Sequence, residues 1–417
     1  MRKPLTIFVP HCSGMLTDHL PYGDGLVAHG FIAHLARRGH QLHVAAQKVT
    51  LREPLPPNVS VHELPCVSSR KISKRVEYML RVRRLLSILR KSHRFDLIHQ
   101  MNPVFTGISL ALAGSGLPLV LGTYVARWPD DPDSLSAAGW SKRAIHAGRN
   151  AISFIQQWQA DALLLTTPAA WNRMPHPRAV RDRAYFLPHG IDTEVFSPAP
   201  HSTPGIGSTD EPPSILFFAN VLKRKGILTL IEAFPAVRRE FPTAKLVVAG
   251  EGPALDEVKR RVAELGYGEH VAFLGRQERS SAPALYRSCS VYCFPSFGEP
   301  YGTTLVEAMS CGKPVVVTDS GGPAHLVSAK GGVFFPAGDS AALSRALCDL
   351  LRDPQRRAVM GHHNRQVVEA TMSWEQVTQQ LENIYEITLS RTRGSATRGN
   401  RRTAVSEVVG QAMDTGR

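Results

Sequence analysis

The sequence lacks the features that mark several specialised classes of protein. Its 417 residues include no run of 18 consecutive apolar residues, so it predicts no helix that spans a bilayer. The six cysteines are scattered without a Cys-x-x-Cys pair, which is typical of reduced thiols and argues against a zinc site or a disulfide framework. No internal repeat occurs beyond two similar α/β halves, and the first apolar segment, TIFVP, is shorter than the core of a signal peptide. We therefore expect a cytoplasmic globular protein of two ordinary domains.

Two segments with few acidic residues carry nearly all of the excess positive charge. The formal net charge is +14; residues 70–94 hold ten Lys or Arg against one Glu, and residues 391–417 hold six Arg against two acids. The remainder has 33 basic and 32 acidic residues. A neutral body argues against a nucleic-acid-binding protein, which needs a basic face. The segment 391–417, rich in Arg, Gly, Ser and Thr, is predicted to be disordered.

The first basic segment contains a predicted helix at residues 76–93. Met79, Val82, Leu86 and Leu89 recur at three- and four-residue spacing and form one apolar stripe. Two interpretations stay open. The helix is either a solvated element packed on a sheet, or it docks on an anionic membrane surface, where each Lys or Arg contributes about 1 kcal/mol.

The most informative stretch is VYCFPSFGEPYGTTLVEAMSCGKPVVVTDSGGPAHLV, at residues 291–327. The apolar run VYCF predicts a buried strand, a turn ends at Gly302, and a helix follows. Thr303 and Thr304 are expected to cap this helix. The segment CGKP ends the helix, and PVVVTD predicts a further parallel strand. A Gly-containing loop that leads into a helix presents free backbone N–H groups and a positive dipole end, which favour phosphate.

Two acids flank this predicted phosphate site. Glu299 lies in the turn, and Glu307 lies eight positions later in the helix. Because carboxylates repel phosphate, we expect these two to bind hydroxyl groups instead. A ligand with phosphate in its middle and polyols on both sides is a nucleotide sugar.

The stretch resembles the signature of the retaining glycosyltransferases of family 4, which have the GT-B fold. The shared pattern is two glutamates separated by seven residues, the Gly-containing loop and helix, CGKPVV and GG, and the resemblance extends over nearly the whole chain. It implies an α/β protein of two Rossmann-like domains that face across a cleft. Residues 1–198 would form the acceptor domain, completed by a carboxy-terminal helix at 375–390 that crosses back to it. Residues 199–374 would form the donor domain, and 391–417 a basic tail.

The resemblance also implies roles for individual residues. Lys225, with the N–H groups of Gly302 and Thr303, would hold the donor diphosphate, so that neither a metal nor another cofactor is required. Glu307 would bind the ribose, and Glu299 would lie beside the transferred sugar. The expected catalytic residues are Glu299 and Lys225, and the expected donor-binding residues are Glu307, Gly302, Thr303, Thr304, Asn220, Lys223 and Arg276. Arg276 follows a predicted strand and either borders the base or simply ends that strand.

Two positions depart from the family pattern. Asn220 stands where the family has an Arg of the diphosphate clamp; Asn supplies no charge, and Lys223 or Arg224 is a candidate substitute. Tyr124 stands at the end of a predicted strand where the family often has a His that contacts the donor sugar. A phenol can donate and accept a hydrogen bond, but it is bulkier and carries no positive charge.

Further candidates lie in the first half of the chain. Gly23 and Gly25 loosely match the family's Gly-rich loop, or they serve chain geometry alone. His99 ends a predicted strand and is either on the sugar and acceptor side or a core histidine. The segment WPDDPD at 128–133 resembles an Asp-x-Asp metal motif of a different glycosyltransferase fold, but its Pro-broken context favours a turn and helix cap or an acceptor-side loop, and we expect no metal there.

We therefore expect a retaining, metal-independent hexosyltransferase. It would move a sugar from a nucleotide sugar to a hydroxyl of a polysaccharide, a glycolipid or another cell-envelope glycoconjugate. It would be cytoplasmic, with or without peripheral attachment to the inner face of the membrane through residues 70–94. The alternatives are a GT-B sugar-nucleotide epimerase or hydrolase, which acts on donor alone, and a non-catalytic, membrane-docked binding protein.

Overall fold

A computed structural model describes residues 3–20, 23–101, 107–124, 140–174, 176–199 and 212–397. The chain divides into two compact units. The first comprises Met1–Gly190 and Trp374–Arg417, and the second comprises Ile191–Ser373. The first unit therefore ends at Gly190, whereas the sequence analysis extends it to residue 198.

Helices and parallel strands alternate along the described residues. The helices are α1 Gly23–Arg37, α2 Lys71–Leu89, α3 Trp140–Gln159, α4 Pro168–Trp171, α5 Ile227–Glu240, α6 Leu255–Glu264, α7 Ala282–Ser288, α8 Thr303–Ser310, α9 Pro323–Leu326, α10 Ser340–Arg352, α11 Pro354–Thr371 and α12 Trp374–Thr397. The strands are β1 Thr6–Val9, β2 Leu16–Thr17, β3 Gln41–Ala46, β4 Val49–Thr50, β5 Val59–Glu63, β6 Leu97–Gln100, β7 Leu119–Tyr124, β8 Ala162–Leu165, β9 Ala184–Phe186, β10 Ser214–Phe218, β11 Lys245–Ala249, β12 Val271–Gly275, β13 Val291–Phe294, β14 Val315–Thr318 and β15 Gly332–Phe335.

The first unit is built on a seven-stranded sheet with the order β5-β3-β1-β6-β7-β8-β9. Every pairing described in this sheet is parallel. Strands β6 and β8 are buried at each residue, as expected for a parallel sheet that helices cover on both faces. Helix α2 packs on this unit through the predicted apolar stripe, in which Val82 and Leu86 are buried and Met79 and Leu89 are half-buried.

Helix α12 packs against α1 within the first unit. The Trp374 ring stacks on His34 at a centroid distance of 5.0 Å and meets Phe31 edge-on at 5.1 Å. Gly30 and Gly190 border the same ring, where an added Cβ would lie 1.9 Å and 2.2 Å from it. The carboxy-terminal helix thus belongs to the first unit, as the family resemblance implies.

The second unit is built on a six-stranded parallel sheet with the order β12-β11-β10-β13-β14-β15. Its chain order runs outward from β10 to β12 on one side and from β13 to β15 on the other. Strands β13 and β14 are buried at each residue. Since burying one Val or Phe side chain contributes about 1.5–3 kcal/mol, these strands anchor the loops that follow them.

Three local predictions are wrong. Helix α8 is not capped by a Thr side chain, because Gly302 is its N-cap residue in a left-handed conformation and Thr303 begins the helix. Gly23 and Gly25 do not lie in a loop, since α1 begins at Gly23. Helix α12 continues to Thr397, so residues 391–397 are helical, while residues 398–417 lie outside the described part.

Candidate active site

The two loops that the sequence singles out meet at one edge of the second unit's sheet. Parallel sheets bind ligands beyond the carboxyl ends of their strands, at the point where the strand order reverses. Here that point lies between β10 and β13, which are hydrogen-bonded neighbours. Lys225 lies in the loop after β10, and Glu299 lies in the loop after β13. We refer to these two loops as the switch-point loops.

The switch-point loops are bonded to each other through their backbones. The Phe297 N–H donates to the carbonyl oxygen of Arg224 at 2.8 Å, and the Ser296 hydroxyl approaches the same oxygen at 3.3 Å. Gly226 has a φ of +72°, and a Cβ there would lie 1.8 Å from the carbonyl oxygen of Pro295. Only glycine fits this close approach, so Gly226 fixes the spacing of the loops.

The second loop delivers the amino end of helix α8 to this edge. Gly302 has a φ of +109°, and a Cβ there would lie 3.2 Å from the Phe294 ring. The first N–H groups of a helix have no acceptor inside it. In the described part of the chain, no acceptor pairs with the N–H groups of Thr303 and Thr304. These donors and the positive end of the helix dipole are therefore available to an anion.

The GG motif supports the loop that carries Glu299. The Gly322 N–H donates to the Glu299 carbonyl oxygen at 2.7 Å. An added Cβ at Gly322 would lie 2.1 Å from the Pro300 carbonyl oxygen, and Gly321 has a φ of +76°. Both glycines permit a backbone contact that a side chain would block.

Lys225 and Glu299 form an ion pair between the two loops. The Lys225 ammonium contacts the Glu299 carboxylate, and both side chains are largely buried, at 12% and 17% exposure. The Arg224 guanidinium lies 3.6 Å from the same carboxylate oxygen. The Lys225 Nζ also lies 5.8 Å from the centroid of the Phe294 ring, the ring that borders Gly302. Lys225 and the start of α8 thus both lie near Phe294, and Lys225 and Arg224 both approach Glu299.

Three other predicted donor-binding residues make no side-chain contact with this cluster among the described residues. The Lys223 side chain pairs with Glu257 on α6, with 2.8 Å between Nζ and Oε2, and is 69% exposed. Asn220 follows β10 and is exposed. Arg276 follows β12 and is exposed, and no side-chain partner for it occurs among the described residues. Of the two candidate substitutes for the missing family Arg, the structure brings Arg224 to Glu299 and directs Lys223 elsewhere.

Glu307 is buried inside the unit, with only 4% of its surface exposed. The Tyr286 hydroxyl donates to its Oε2 at 2.8 Å, and the Arg279 Nη1 donates to its Oε1 at 2.8 Å. Burial raises the pKa of Glu307 above its ordinary value, while the Arg279 charge and the two hydrogen bonds oppose the rise. The sequence analysis missed Arg279 and Tyr286, because neither stands at a fixed spacing from Glu307.

Thr304 takes part in the support of α8. The Tyr292 hydroxyl lies 2.9 Å from the Thr304 Oγ1 and 3.1 Å from the carbonyl oxygen of Phe218. Because the Thr304 hydroxyl is engaged by Tyr292, its backbone N–H is the group that remains for a ligand. Strand β13 therefore positions the first turn of α8 as well as the loop that carries Glu299.

Among the described side chains of the first unit, no comparable cluster of candidate residues occurs. His99 is buried on β6, with Nδ1 2.6 Å from the Tyr385 hydroxyl and Nε2 2.5 Å from the Gly122 carbonyl oxygen. Since a carbonyl can only accept, Nε2 carries the proton and Tyr385 donates to Nδ1. Burial lowers the pKa of His99 to about 4. These contacts favour the interpretation of His99 as a core histidine.

For the remaining candidates of the first unit, the structure gives their positions in the helices and strands. Tyr124 ends β7, where it pairs in register with Leu165 of β8. Gly23 is exposed and Gly25 is buried in the first turn of α1. The segment WPDDPD at 128–133 lies outside the described residues. Among the residues that are described, no group of three His, Cys, Asp or Glu side chains is arranged to hold a metal ion.

Two sequence profiles match most of the chain. The profile described as "Glycosyl transferases group 1" matches residues 202–367, and the "Glycosyl transferase 4-like domain" matches residues 23–188. Together they cover both units and contain the switch-point loops. The chain belongs to the group 1 glycosyltransferases, and the protein is a glycosyltransferase of the GT-B fold.

Curated relatives extend this similarity. The chain is 29% identical over 378 residues to a phosphatidyl-myo-inositol mannosyltransferase of Mycobacterium leprae, which covers 86% of this chain and 92% of the relative. It is 34% identical over 189 residues to a GDP-mannose-dependent alpha-(1-6)-phosphatidylinositol monomannoside mannosyltransferase of Mycolicibacterium smegmatis, covering 42% of this chain. The latter alignment spans about half the length of that relative, at 49%.

Solved structures share the fold at low sequence identity. A sucrose-phosphate synthase from Thermosynechococcus elongatus matches 94% of this chain and 100% of its own, with a TM-score of 0.71 and 20% identity. The Anabaena protein HepE, solved with UDP, matches 92% of this chain and 100% of its own, with a TM-score of 0.71 and 18% identity. The expected family, fold class and enzyme class are confirmed.

Proposed function

We propose that this glycosyltransferase transfers mannose from GDP-mannose to a hydroxyl of a phosphatidylinositol-type glycolipid, with retention of configuration and without a metal. The observation that carries the transfer chemistry is the switch point of the second unit. There Lys225, Arg224 and the amino end of α8 surround the loop of Glu299. The named activities of the mycobacterial relatives support the choice of mannose, of GDP and of a lipid acceptor.

The donor diphosphate would be held by charge and by oriented N–H groups. Its oxygens would accept from Lys225, Arg224 and the N–H groups of Thr303 and Thr304. As the sugar leaves, negative charge grows on the terminal phosphate, and these fixed donors stabilise it without reorganising. Asn220 stands where the family has a positively charged Arg, and Arg224 would supply the charge that is missing there. Two cations and a helix end can perform the charge stabilisation for which other enzymes use a divalent metal.

The two acids would bind the hydroxyl-bearing ends of the donor. A diphosphate would compete with Glu299 for Lys225, because both anions need the same ammonium group. The Glu299 carboxylate would then accept from hydroxyls of the sugar and stabilise positive charge at the anomeric carbon. Glu307 would accept from the ribose hydroxyls. The transferred sugar and the nucleoside thus lie on opposite sides of the diphosphate.

Transfer assays test the reaction and its stereochemistry. Purified protein would be incubated with GDP-mannose, UDP-glucose or ADP-glucose and phosphatidylinositol vesicles, and products would be followed by mass spectrometry and proton NMR. We expect mannosyl transfer that gives an α-linked product and persists in EDTA. A β-linked product would contradict retention, and loss of transfer in EDTA would contradict metal independence. Donor conversion without acceptor would instead indicate an epimerase or hydrolase.

Variants test the assignment of roles. Lys225→Ala and Glu299→Gln should each lower turnover by about a hundredfold or more, the scale of removing one preorganised stabilising group. Arg260→Gln is the matched control, since this exposed Arg on α6 pairs only with Glu264 in the described structure. Circular dichroism and thermal melting would verify folding. Near-normal transfer by both site variants would refute the roles.

We further propose that α2 docks the protein on an anionic membrane surface that carries the acceptor. The face of α2 that points away from the core bears Ile72, Val76 and Leu80, spaced one turn apart and exposed by 81%, 49% and 63%. The exposed Arg83 and Arg84 follow on the next turn. An apolar stripe beside basic residues is the pattern of a helix that lies in a lipid interface. Among the described helices, none has the length and hydropathy to cross a membrane.

Flotation with liposomes tests this docking. The wild type should float with vesicles that contain phosphatidylinositol or phosphatidylserine and much less with neutral vesicles. The triple variant Ile72→Ser, Val76→Ser, Leu80→Ser should lose most of this recovery. Val359→Ser, which changes an apolar residue of α11 that is 60% exposed, is the control. Equal recovery with neutral and anionic vesicles would rule out the proposed surface.

A further inference from the structure

Glu307 depends on its neighbours to remain a carboxylate. Burying a charge is costly unless it is paired and hydrogen-bonded. In the described structure Tyr286 supplies a neutral hydrogen bond to Oε2, and Arg279 supplies both a hydrogen bond and a counter-charge to Oε1. A carboxylate has about four acceptor positions, so lone pairs on both oxygens remain for a ligand.

Arg279 is itself held in position. Its Cζ lies 5.0 Å from the centroid of the fully buried Phe196 ring, in a cation–π contact. It begins the short turn that leads into α7, the helix that carries Tyr286. Its side chain is 36% exposed, whereas that of Glu307 is 5% exposed. The guanidinium therefore lies at the exposed border of a buried acid and contacts an aromatic ring.

We propose that Arg279 is a positioning residue for the nucleoside half of the donor. It supplies the counter-charge that keeps Glu307 ionised, and it fixes the carboxylate so that the remaining lone pairs accept from the ribose hydroxyls. This inference rests on the proposed function, because it requires a nucleotide at this site. It adds a residue from outside the Glu299–Glu307 motif to the donor-binding set.

The charge state of Glu307 gives the inference a distinct signature. Burial raises the pKa of Glu307, and the Arg279 charge is the largest opposing influence. The other titratable groups near it, Tyr286, Tyr292 and Cys311, have pKa values that burial raises, so they remain neutral between pH 6 and about pH 9. Replacing Arg279 with a neutral residue should raise the pKa of Glu307 further. Ribose binding should then weaken at a higher pH than in the wild type.

Calorimetric titration of four proteins tests the inference. Wild type, Arg279→Gln, Arg279→Lys and the surface control Arg260→Gln would be titrated with GDP, UDP and ADP to identify the preferred nucleotide. That nucleotide, its 2′,3′-dideoxy analogue and inorganic pyrophosphate would then be compared between pH 6 and pH 9. The dideoxy analogue lacks the hydroxyls that Glu307 would bind, and pyrophosphate lacks the whole nucleoside.

We expect Arg279→Gln to lower the affinity for the nucleotide by roughly tenfold or more, the scale of one charge-assisted hydrogen bond. The affinity for pyrophosphate should stay unchanged. The variant should no longer prefer the nucleotide over its dideoxy analogue. On acidification, its affinity for the nucleotide should begin to fall at a higher pH than that of the wild type. Arg279→Lys should restore much of the preference because it keeps the charge.

The possible failures are distinguishable. A wild type that binds no nucleoside diphosphate contradicts the proposed function itself. A wild type that binds while Arg279→Gln keeps the ribose preference overturns the inference alone. Equal weakening of nucleotide and pyrophosphate also overturns it, because Arg279 would then act on phosphate. If Arg279→Gln does not fold, the neutral variant Arg279→Met takes its place with the same expected outcomes, since it removes the charge but keeps an unbranched side chain beside Phe196.

Discussion

Replacing Arg224 with Gln tests whether this residue takes the place of the missing clamp Arg. The substitution removes one of the two cations beside Glu299 and leaves the backbone of the switch-point loops in place, because the loops bond through the Arg224 carbonyl. Unit charges about 4 Å apart interact by about 4 kcal/mol at an effective dielectric of 20. Arg224 is 30% exposed, so screening reduces this to about 1.5–3 kcal/mol, typical of a hydrogen bond to a charged group.

The expected loss of nucleoside diphosphate affinity is therefore about tenfold to hundredfold. Lys223→Gln is the matched control, since the neighbouring Lys223 carries the same charge but pairs with Glu257 at the surface. We expect it to change affinity by less than about threefold, as a screened surface pair contributes about 0–1 kcal/mol. Isothermal titration with GDP and UDP at two salt concentrations measures both. Equal losses in the two variants would show that only net basic charge matters and would refute the geometric assignment.

Three further outcomes test the framework around the site. Gly30→Ala should lower the melting temperature by several degrees, because its Cβ would lie 1.9 Å from the Trp374 ring and overpacking costs about 1–3 kcal/mol; an unchanged melting curve would contradict this packing. Gly226→Ala should abolish transfer while most secondary structure persists, since it needs a positive φ and meets backbone at 1.8 Å; full activity would contradict the proposed loop spacing. Burial raises the pKa of Glu382, but the hydrogen bonds and charges of Arg38 and His40 together outweigh it and leave this pKa below its ordinary value. Its contribution to stability is thus present above the unfolded-state pKa of about 4.3 and is lost as the pH falls, so acid unfolding of Glu382→Gln should show a weaker pH dependence than the wild type.

The sequence was sufficient to predict the architecture and the loop that carries Glu299. Short buried apolar runs that alternate with helical periodicity determine a parallel sheet, and the switch point follows from such a sheet. The Glu299 loop was predictable because a Gly-containing turn that leads into a helix presents free N–H groups and the positive end of the helix dipole. The stripe on α2 that packs inward was also predictable from its spacing, since it includes the buried Val82 and Leu86.

Other features depend on contacts that no spacing encodes. Thr303 and Thr304 look like caps in the sequence, but the left-handed conformation of Gly302 brings the chain into α8 and makes Thr303 its first residue. Lys223 and Arg224 are neighbours whose opposite directions arise from the short turn that contains them. Arg279 reaches Glu307 only because α7 and α8 pack together in the second unit.

Under the proposed function, the charges around Glu299 and Glu307 suit a diphosphate better than a simple sugar. Lys225, Arg224 and Arg279 contribute three positive charges, Glu299 and Glu307 contribute two negative charges, and the amino end of α8 adds about half a positive charge. The balance is slightly positive, which favours a dianionic ligand and disfavours a neutral one. Glu299 is paired with Lys225, and Glu307 is paired with Arg279. A ligand therefore needs an anionic group to displace Glu299 from Lys225, and it needs hydroxyl groups to donate to Glu307. A nucleotide sugar brings both in one molecule, whereas free phosphate or free sugar satisfies only half of the site.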